Sequence, residues 1–331
     1  MIKTIPRIKT PQEAYVFNYP QAITFAETQN SIFWLPDEIK VEKDKQDLLV
    51  NLSEVEYHGV ITTLKLFTKY ELFVGNEYWG DIIKKRYPIP EIQRMASAFS
   101  FFELNVHAPF YSKINEILGL ATEDFYNSYI NDPILNSRME FIGGLISHEN
   151  ELISLAGFSL IEGAILYSSF AFLKHFQSKG KNKMMNTVRG INFSVRDENI
   201  HSEAGAWLYN QTKYELELTE DESNDVETAI IDAAKAIYEH ECRIIDMIFE
   251  KGTMDGITST QMKNFVQSRL NICLEKLKIK KLFIVKYDPI SEWFYDGINN
   301  FQFNDFFSGI GASYNRNWSE TEFTWGKGYN K

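Results

Sequence analysis

Four carboxylates and two histidines stand along the chain in the order that a helical dimetal site requires: Glu71, then Glu103 with His107, then Glu162, then Glu198 with His201. A four-helix bundle holding two metal ions takes one carboxylate from each of two helices. Each of the other two supplies a carboxylate and a histidine about one turn apart. The residue types follow from the chemistry, since carboxylate oxygens neutralise and bridge hard cations while imidazole nitrogen suits iron or manganese. Glu198 and His201 are three apart in RDENIH, and Glu103 and His107 are four apart in FFELNVH, so each pair shares one helix face. Either pair alone is a weak signal in a chain with this many glutamates and six histidines. Order and setting strengthen it: Glu71 sits in LKLFTKYELFV and Glu162 in FSLIEGAIL, apolar stretches where an unpaired carboxylate is prohibitive and two dications would offset the cost.

Such residues need helices to carry them. Helical periodicity predicts elements over 47–79, 90–118, 121–130, 134–178, 184–212, 220–253 and 259–278. Pro90 suits a first turn, and Asp132-Pro133 is a capping signal. Pro109 removes a backbone donor inside the second element, which predicts a kink or bulge just before it. The acidic TEDESND stretch favours the positive start of the helix over 220–253. The first 45 residues, with Pro6, Pro11, Pro20 and Pro36, read as an extended arm with short turns. KLFIVKY, 281–287, is the one arguable strand, and from 301 the chain turns aromatic and glycine-rich, as a mobile tail would. The expected class is all-α: an arm over 1–45, one helical bundle over 46–300 and a C-terminal tail over 301–331.

Bulk properties narrow the function. With 331 residues, 44% of them hydrophobic, the chain can bury a substantial core. A formal charge of −11 argues against extensive nucleic-acid contact. Two cysteines, Cys242 and Cys273, give neither a disulfide framework nor a cysteine zinc site. The opening MIKTIPRIKT lacks the apolar core of a signal peptide, so a cytoplasmic protein is expected. Residues 152–173 are long enough to span a membrane but carry Glu162 at the centre, which predicts a buried bundle helix and no membrane association. His148 and Glu149 read as capping or surface residues, His240 between Glu239 and Glu241 as solvated, and His58 and His175 as lacking a partner at ligand spacing. There is no P-loop and no dinucleotide fingerprint.

Over nearly its whole length the chain resembles the small, radical-generating (beta) subunit of class I ribonucleotide reductase. The resemblance rests on Phe33 and Trp34 in SIFWLPDE, HAPFY with Tyr111, the Glu162 helix, RDENIH and the tail segment GASYNRNW. It implies a ferritin-like bundle with metal ligands at Glu71, Glu103, His107, Glu162, Glu198 and His201. It also implies a radical tyrosine at Tyr111, with Trp34 and Asp197 linking the metals to the surface and Tyr314 passing the oxidant to a large (alpha) subunit. Phe170 matches an aromatic near the radical site. A homodimer, docking to the large subunit through the C-terminal tail, and activation by oxygen or a reduced oxygen species are implied as well. The function would be to start ribonucleotide reduction for deoxyribonucleotide synthesis.

Three positions depart from the family pattern. The step from Glu103 to His107 is four rather than three, an extra residue that a π-bulge could absorb. Glu71 replaces the commonest first ligand, aspartate, as in a branch with a manganese–iron centre that lacks the radical tyrosine. Leu166 stands where many members have phenylalanine. An iron pair is the expected cofactor, with Mn/Fe and Mn/Mn open. The alternative function is a ferritin-like dimetal oxidase or hydroxylase acting on a small substrate, which would need neither the Trp34–Asp197 pair nor a tail tyrosine.

Overall fold

Residues 5–295 are described by a computed structural model. Among them the regular structure is helical, with no strand beyond an isolated bridge between Met254 and Ile257. Ten helices matter here: α1 (Pro20–Ser31), α2 (Pro36–Ile39), α3 (54–86), α4 (90–117), α5 (Glu123–Asn127), α6 (Pro133–Ile146), α7 (151–174), α8 (Met185–Leu216), α9 (Glu220–Ile248) and α10 (Ser259–Lys276). The apolar faces of α3, α4, α7 and α8 meet in the interior, and α9 and α10 close one side. The helix that is long and apolar enough to cross a membrane runs from Glu151 to Ser178, and 94% of its most apolar window is buried inside the protein.

Start and stop signals explain most boundaries. Ser53 and Glu56 form a capping box, with Ser53 Oγ accepting from Glu56 N at 3.2 Å and Glu56 Oε2 accepting from Ser53 N at 2.8 Å. The predicted start of α3 at Asp47 therefore moves to Glu54, behind a separate π turn over Asp47–Asn51. Asp132 caps α6, and Thr219 and Thr258 cap α9 and α10.

Several expectations are corrected. The N-terminal stretch is not simply extended, because α1 packs along α4 and buries Ala22, Ile23 and Ala26. Its prolines start helices: Pro20 and Pro36 each occupy a first turn, where the missing N–H costs nothing. The predicted helix over 134–178 is two helices. Asn150 accepts from Leu152 N at 3.0 Å, and its own N–H donates to His148 Nδ1 at 3.0 Å, so the chain turns between Ile146 and Glu151. KLFIVKY forms no strand; the side chain of Asn271 takes the place of a pairing strand, accepting from Leu282 N and Phe283 N and donating to Phe283 O at 2.8 Å. His240 is not solvated: it is buried, stacked on Phe141 of α6 at 4.8 Å, beside a buried Arg138–Glu241 ion pair at 2.9 Å.

Three of the four inner helices contain π turns. They cover Val74–Ile82 in α3, Glu103–His107 in α4 and Ile161–Ile165 in α7. The α4 turn lies directly before Pro109, where the sequence predicted a distortion, and Ala108 N–H donates to Glu103 O five residues back. Gly75 lets the α3 turn approach the α4 turn, since a Cβ there would lie 2.7 Å from Leu104 Cγ and 2.9 Å from Glu103 Cβ. Gly75→Ala is expected to lower stability by about 1–3 kcal/mol through overpacking, read as a reduced midpoint in urea denaturation; an unchanged midpoint would show that the two turns can separate freely.

Candidate metal centre

Each inner helix contributes to one buried cluster. Glu71 comes from α3, Glu103 and His107 from the π turn of α4, Glu162 from the π turn of α7, and Glu198 with His201 from α8. All six are fully buried. A turn closed over five residues needs a longer step to come round, so a spacing of four in α4 aims its pair much as a spacing of three does in the α-helical α8. The extra residue is absorbed in a π turn, the distortion that the spacing allowed for.

The ligand atoms form two overlapping groups, Glu71–Glu103–His107–Glu198 and Glu103–Glu162–Glu198–His201, each with its atoms within 4.8 Å of one another. Glu103 and Glu198 belong to both. His107 Nδ1 lies 2.9 Å from Glu103 Oε2, 3.0 Å from Glu198 Oε1 and 3.7 Å from Glu71 Oε2. His201 Nδ1 lies 2.8 Å from Glu103 Oε1, 3.0 Å from Glu198 Oε2 and 4.0 Å from Glu162 Oε2. A single imidazole N–H cannot serve three carboxylates. Both oxygens of Glu71 and Oε2 of Glu162 have no hydrogen-bond partner, although buried polar atoms are almost always satisfied. Carboxylates gathered around imidazole nitrogens, with oxygens left over, fit a pair of divalent cations.

Electrostatics show how the cluster balances without cations. Burial, reinforced by Glu103, raises the pKa of Glu71 well above the carboxylate range. Burial and Glu198 do the same to Glu162. Burial also opposes charge on Glu103 and Glu198, but the two imidazoles outweigh it and hold both carboxyls below their ordinary value. Burial would discharge the histidines, yet Glu198 and Glu103 raise His107 well above its usual range, and Glu103 and Glu198 raise His201 to about 9. Burial and mutual repulsion thus push Glu71 and Glu162 towards the neutral form, while His107 and His201 are pushed towards imidazolium beside Glu103 and Glu198.

The residues around the cluster form two paths. His107 Nε2 donates to Asp197 Oδ2 at 3.1 Å, and Trp34 Nε1 donates to the same oxygen at 2.8 Å. Arg196 anchors this path from α8, its Nη2 donating to Ile32 O at 2.8 Å, two residues before Trp34. Trp34 is itself buried, between Phe110 and Phe193, and Leu35 next to it is exposed. On the other side Tyr111 is fully buried and stacks on Phe67 with ring centroids 4.3 Å apart; Phe170 continues the stack beyond Phe67 at 5.7 Å. Burial, then Glu71, raises the pKa of Tyr111 well above the phenol value, so it is protonated at neutral pH.

Tyr70 was missed. Its hydroxyl donates to Glu162 Oε1 at 2.6 Å from the residue next to Glu71, and the pairing spans 92 positions of sequence, so no local pattern could reveal it. Tyr314 lies outside the described residues. His148 is exposed as a local cap. His58 and His175 bond the carbonyls of Met247 and Phe172, away from the cluster.

A family model, "Ribonucleotide reductase, small chain", matches residues 12–289, which contain the whole cluster. The chain belongs to the ribonucleotide reductase small-chain family. Its relatives are named as subunits of an oxidoreductase, and the fold is that of the family's ferritin-like bundle. The probable ribonucleoside-diphosphate reductase small subunit of Invertebrate iridescent virus 3 is 24% identical over 322 residues, covering 90% of this chain and 82% of that protein. The Escherichia coli ribonucleoside-diphosphate reductase 2 subunit beta is 25% identical over 292 residues, covering 86% and 87%. Among solved structures, the dimanganese(II) NrdF of Streptococcus sanguinis aligns with TM-score 0.73 at 22% identity, covering 85% of this chain and 97% of that one. The R2 subunit from Clostridium botulinum aligns equally well, with TM-score 0.73. At that identity the structural likeness speaks for the fold.

Metal loading would have a proton signature. Metal ligands bind deprotonated, whereas burial raises Glu71 and Glu162 and the carboxylates raise His107 and His201 towards their protonated forms. Titration of metal-free protein with Mn(II) in weakly buffered solution at pH 7 is therefore expected to release protons, and affinity to fall as the pH is lowered. Uptake of Mn(II) without proton release would contradict these shifts.

Proposed function

We propose that the chain is the radical-generating small subunit of a class I ribonucleotide reductase and that the six clustered residues are its metal ligands. The observation that carries this reading is the unbroken hydrogen-bond line from Trp34 through Asp197 to His107, whose other ring nitrogen faces the carboxylates. A site that oxidises its own bound substrate has no need of such a line. The bound metal pair would supply a strong one-electron oxidant from oxygen or a reduced oxygen species. Iron in both positions is the expected occupant, and Mn/Fe or Mn/Mn suits the same donors.

The chain's own residues do the rest. Tyr111 holds the oxidising equivalent as a neutral radical after losing an electron and its proton. The Phe67 stack and the closed bundle keep water and reductants from it. Asp197 fixes the orientation of the His107 ring and holds Trp34 at hydrogen-bonding distance, so the indole is positioned to relay charge outward. Tyr314, in the tail, completes the transfer to a separate large subunit that reduces the ribonucleotide. The subunit works as a homodimer in the cytoplasm and docks its partner through the tail, 301–331. The arm, 1–45, delivers Trp34 to the bundle, 46–300.

The rival is a dimetal oxidase acting on a small substrate, which has no use for the Trp34–Asp197–His107 line.

Two experiments test the reading. Metal-free protein is loaded with iron, manganese or both, exposed to oxygen and compared with Tyr111→Phe by low-temperature EPR. A narrow organic radical that the substitution abolishes is expected; a metal-coupled signal that survives it would place the oxidant on the metals and make Glu71 the informative residue. Truncation before Tyr314 is expected to leave radical formation intact and to abolish ribonucleotide reduction in the presence of the large subunit. Undiminished turnover of a small substrate, with or without that subunit, would favour the oxidase.

A further inference from the structure

Arg269 of α10 is a buried guanidinium whose partners among the described residues are neutral. It is 3% exposed, and no carboxylate among the described residues pairs with it. Its Nε donates to Gly163 O at 2.8 Å, its Nη1 donates to Tyr295 Oη at 2.5 Å, and Nη2 has no hydrogen-bond partner. The guanidinium lies 3.7 Å from the centroid of the Tyr167 ring. A buried cation held by neutral groups is costly, and an apolar side chain of similar size would often serve stability as well or better. Packing alone is therefore a poor account of this arginine.

Its contacts converge on the cluster. Gly163 follows Glu162 inside the π turn of α7, where Leu166 N–H reaches back five residues to Ile161 O. Such a turn shifts the hydrogen-bond register of the helix, and a fixed donor on one of its carbonyls holds that register against reversion to the ordinary helical one. The neighbouring helices close tightly on the same point: a Cβ at Gly163 would lie 2.3 Å from Cys273 Sγ of α10 and 2.6 Å from Ser202 Oγ of α8. Tyr167, beneath the guanidinium, donates its hydroxyl to Val195 O at 3.1 Å, two residues before Asp197 on α8. Arg269 thus touches the turn that aims Glu162 and, through one ring, the helix that carries Asp197, Glu198 and His201.

We propose that Arg269 is a positioning residue that locks the π turn of α7 and so fixes the pose of Glu162 relative to the α8 ligands. This rests on Glu162 being a metal ligand, and the test separates the two claims. Metal-free wild type, Arg269→Met, Arg269→Lys and Glu162→Gln are titrated with Mn(II), followed by the EPR signal of free Mn(II). Hydrogen exchange of amides 161–166 and urea denaturation of the metal-free proteins are measured alongside. Arg269→Met is expected to bind one of the two Mn(II) ions about tenfold more weakly and to exchange faster across the turn, without a lower urea midpoint. Arg269→Lys keeps the charge but loses the planar stack and fork, so the same two changes are expected; it decides the question if the methionine variant does not fold. Binding and exchange like wild type in a folded variant would overturn the proposal while leaving the ligand assignment standing. A wild type that takes up no Mn(II), or Glu162→Gln that binds as wild type does, sinks the ligand assignment and this proposal with it.

Discussion

Removing four carboxylates from water is the constraint on which the rest of this structure depends. Each would cost several kcal/mol as an unpaired buried ion, so the bundle can close only if the charges are answered inside it. Without cations the two imidazoles are driven towards taking protons, and Glu71 and Glu162 towards keeping theirs. Around this charge the interior is apolar, with Phe67, Phe99, Phe158 and Phe170 near the cluster, and further buried charges such as the Arg138–Glu241 pair lie apart from it. Because a mispaired charge here is so expensive, the cluster also dictates helix register: a slip in any of the four inner helices would leave an acid without its partner.

Regular α-helices alone do not meet that demand. Three of the four carry π turns, two of them at Glu103–His107 and around Glu162 and the third just beyond Glu71. A wide turn exposes backbone groups and calls for outside support. Gly75 makes room for Leu104, and Ser100 Oγ donates to Gly75 O at 2.7 Å; Arg269 donates to Gly163 O. Irregular backbone at the cluster is thus held in place by side chains from neighbouring helices.

The sequence made the clustered acids and histidines legible because their spacing is local: three residues in RDENIH, four in FFELNVH, and a proline close behind the second. The same local logic located most helices and the buried nature of the apolar one. It failed where one signal has two meanings. Pro20 and Pro36 read as breaks but start helices, and the polar stretch 147–150, Ser-His-Glu-Asn, was read as helix although Asn150 caps a new one there. His240 looked solvated between two acids, yet its helix turns that face inward, and Glu241 is buried against Arg138. Tyr70 and Arg269 were invisible for a different reason. Their significance lies in partners 92 and 106 positions away, which only the fold brings near.

The balance of protons in the cluster bears on metal choice. Burial raises Glu71 and Glu162 towards their neutral forms, while neighbouring carboxylates raise His107 and His201 towards their charged ones. Protons thus stand in for part of the charge that two cations would bring. Cations of equal charge would replace those protons alike, and carboxylate with imidazole suits iron and manganese both. Charge and donor type give no ground for preferring one of them, so a preference has to come from geometry and supply.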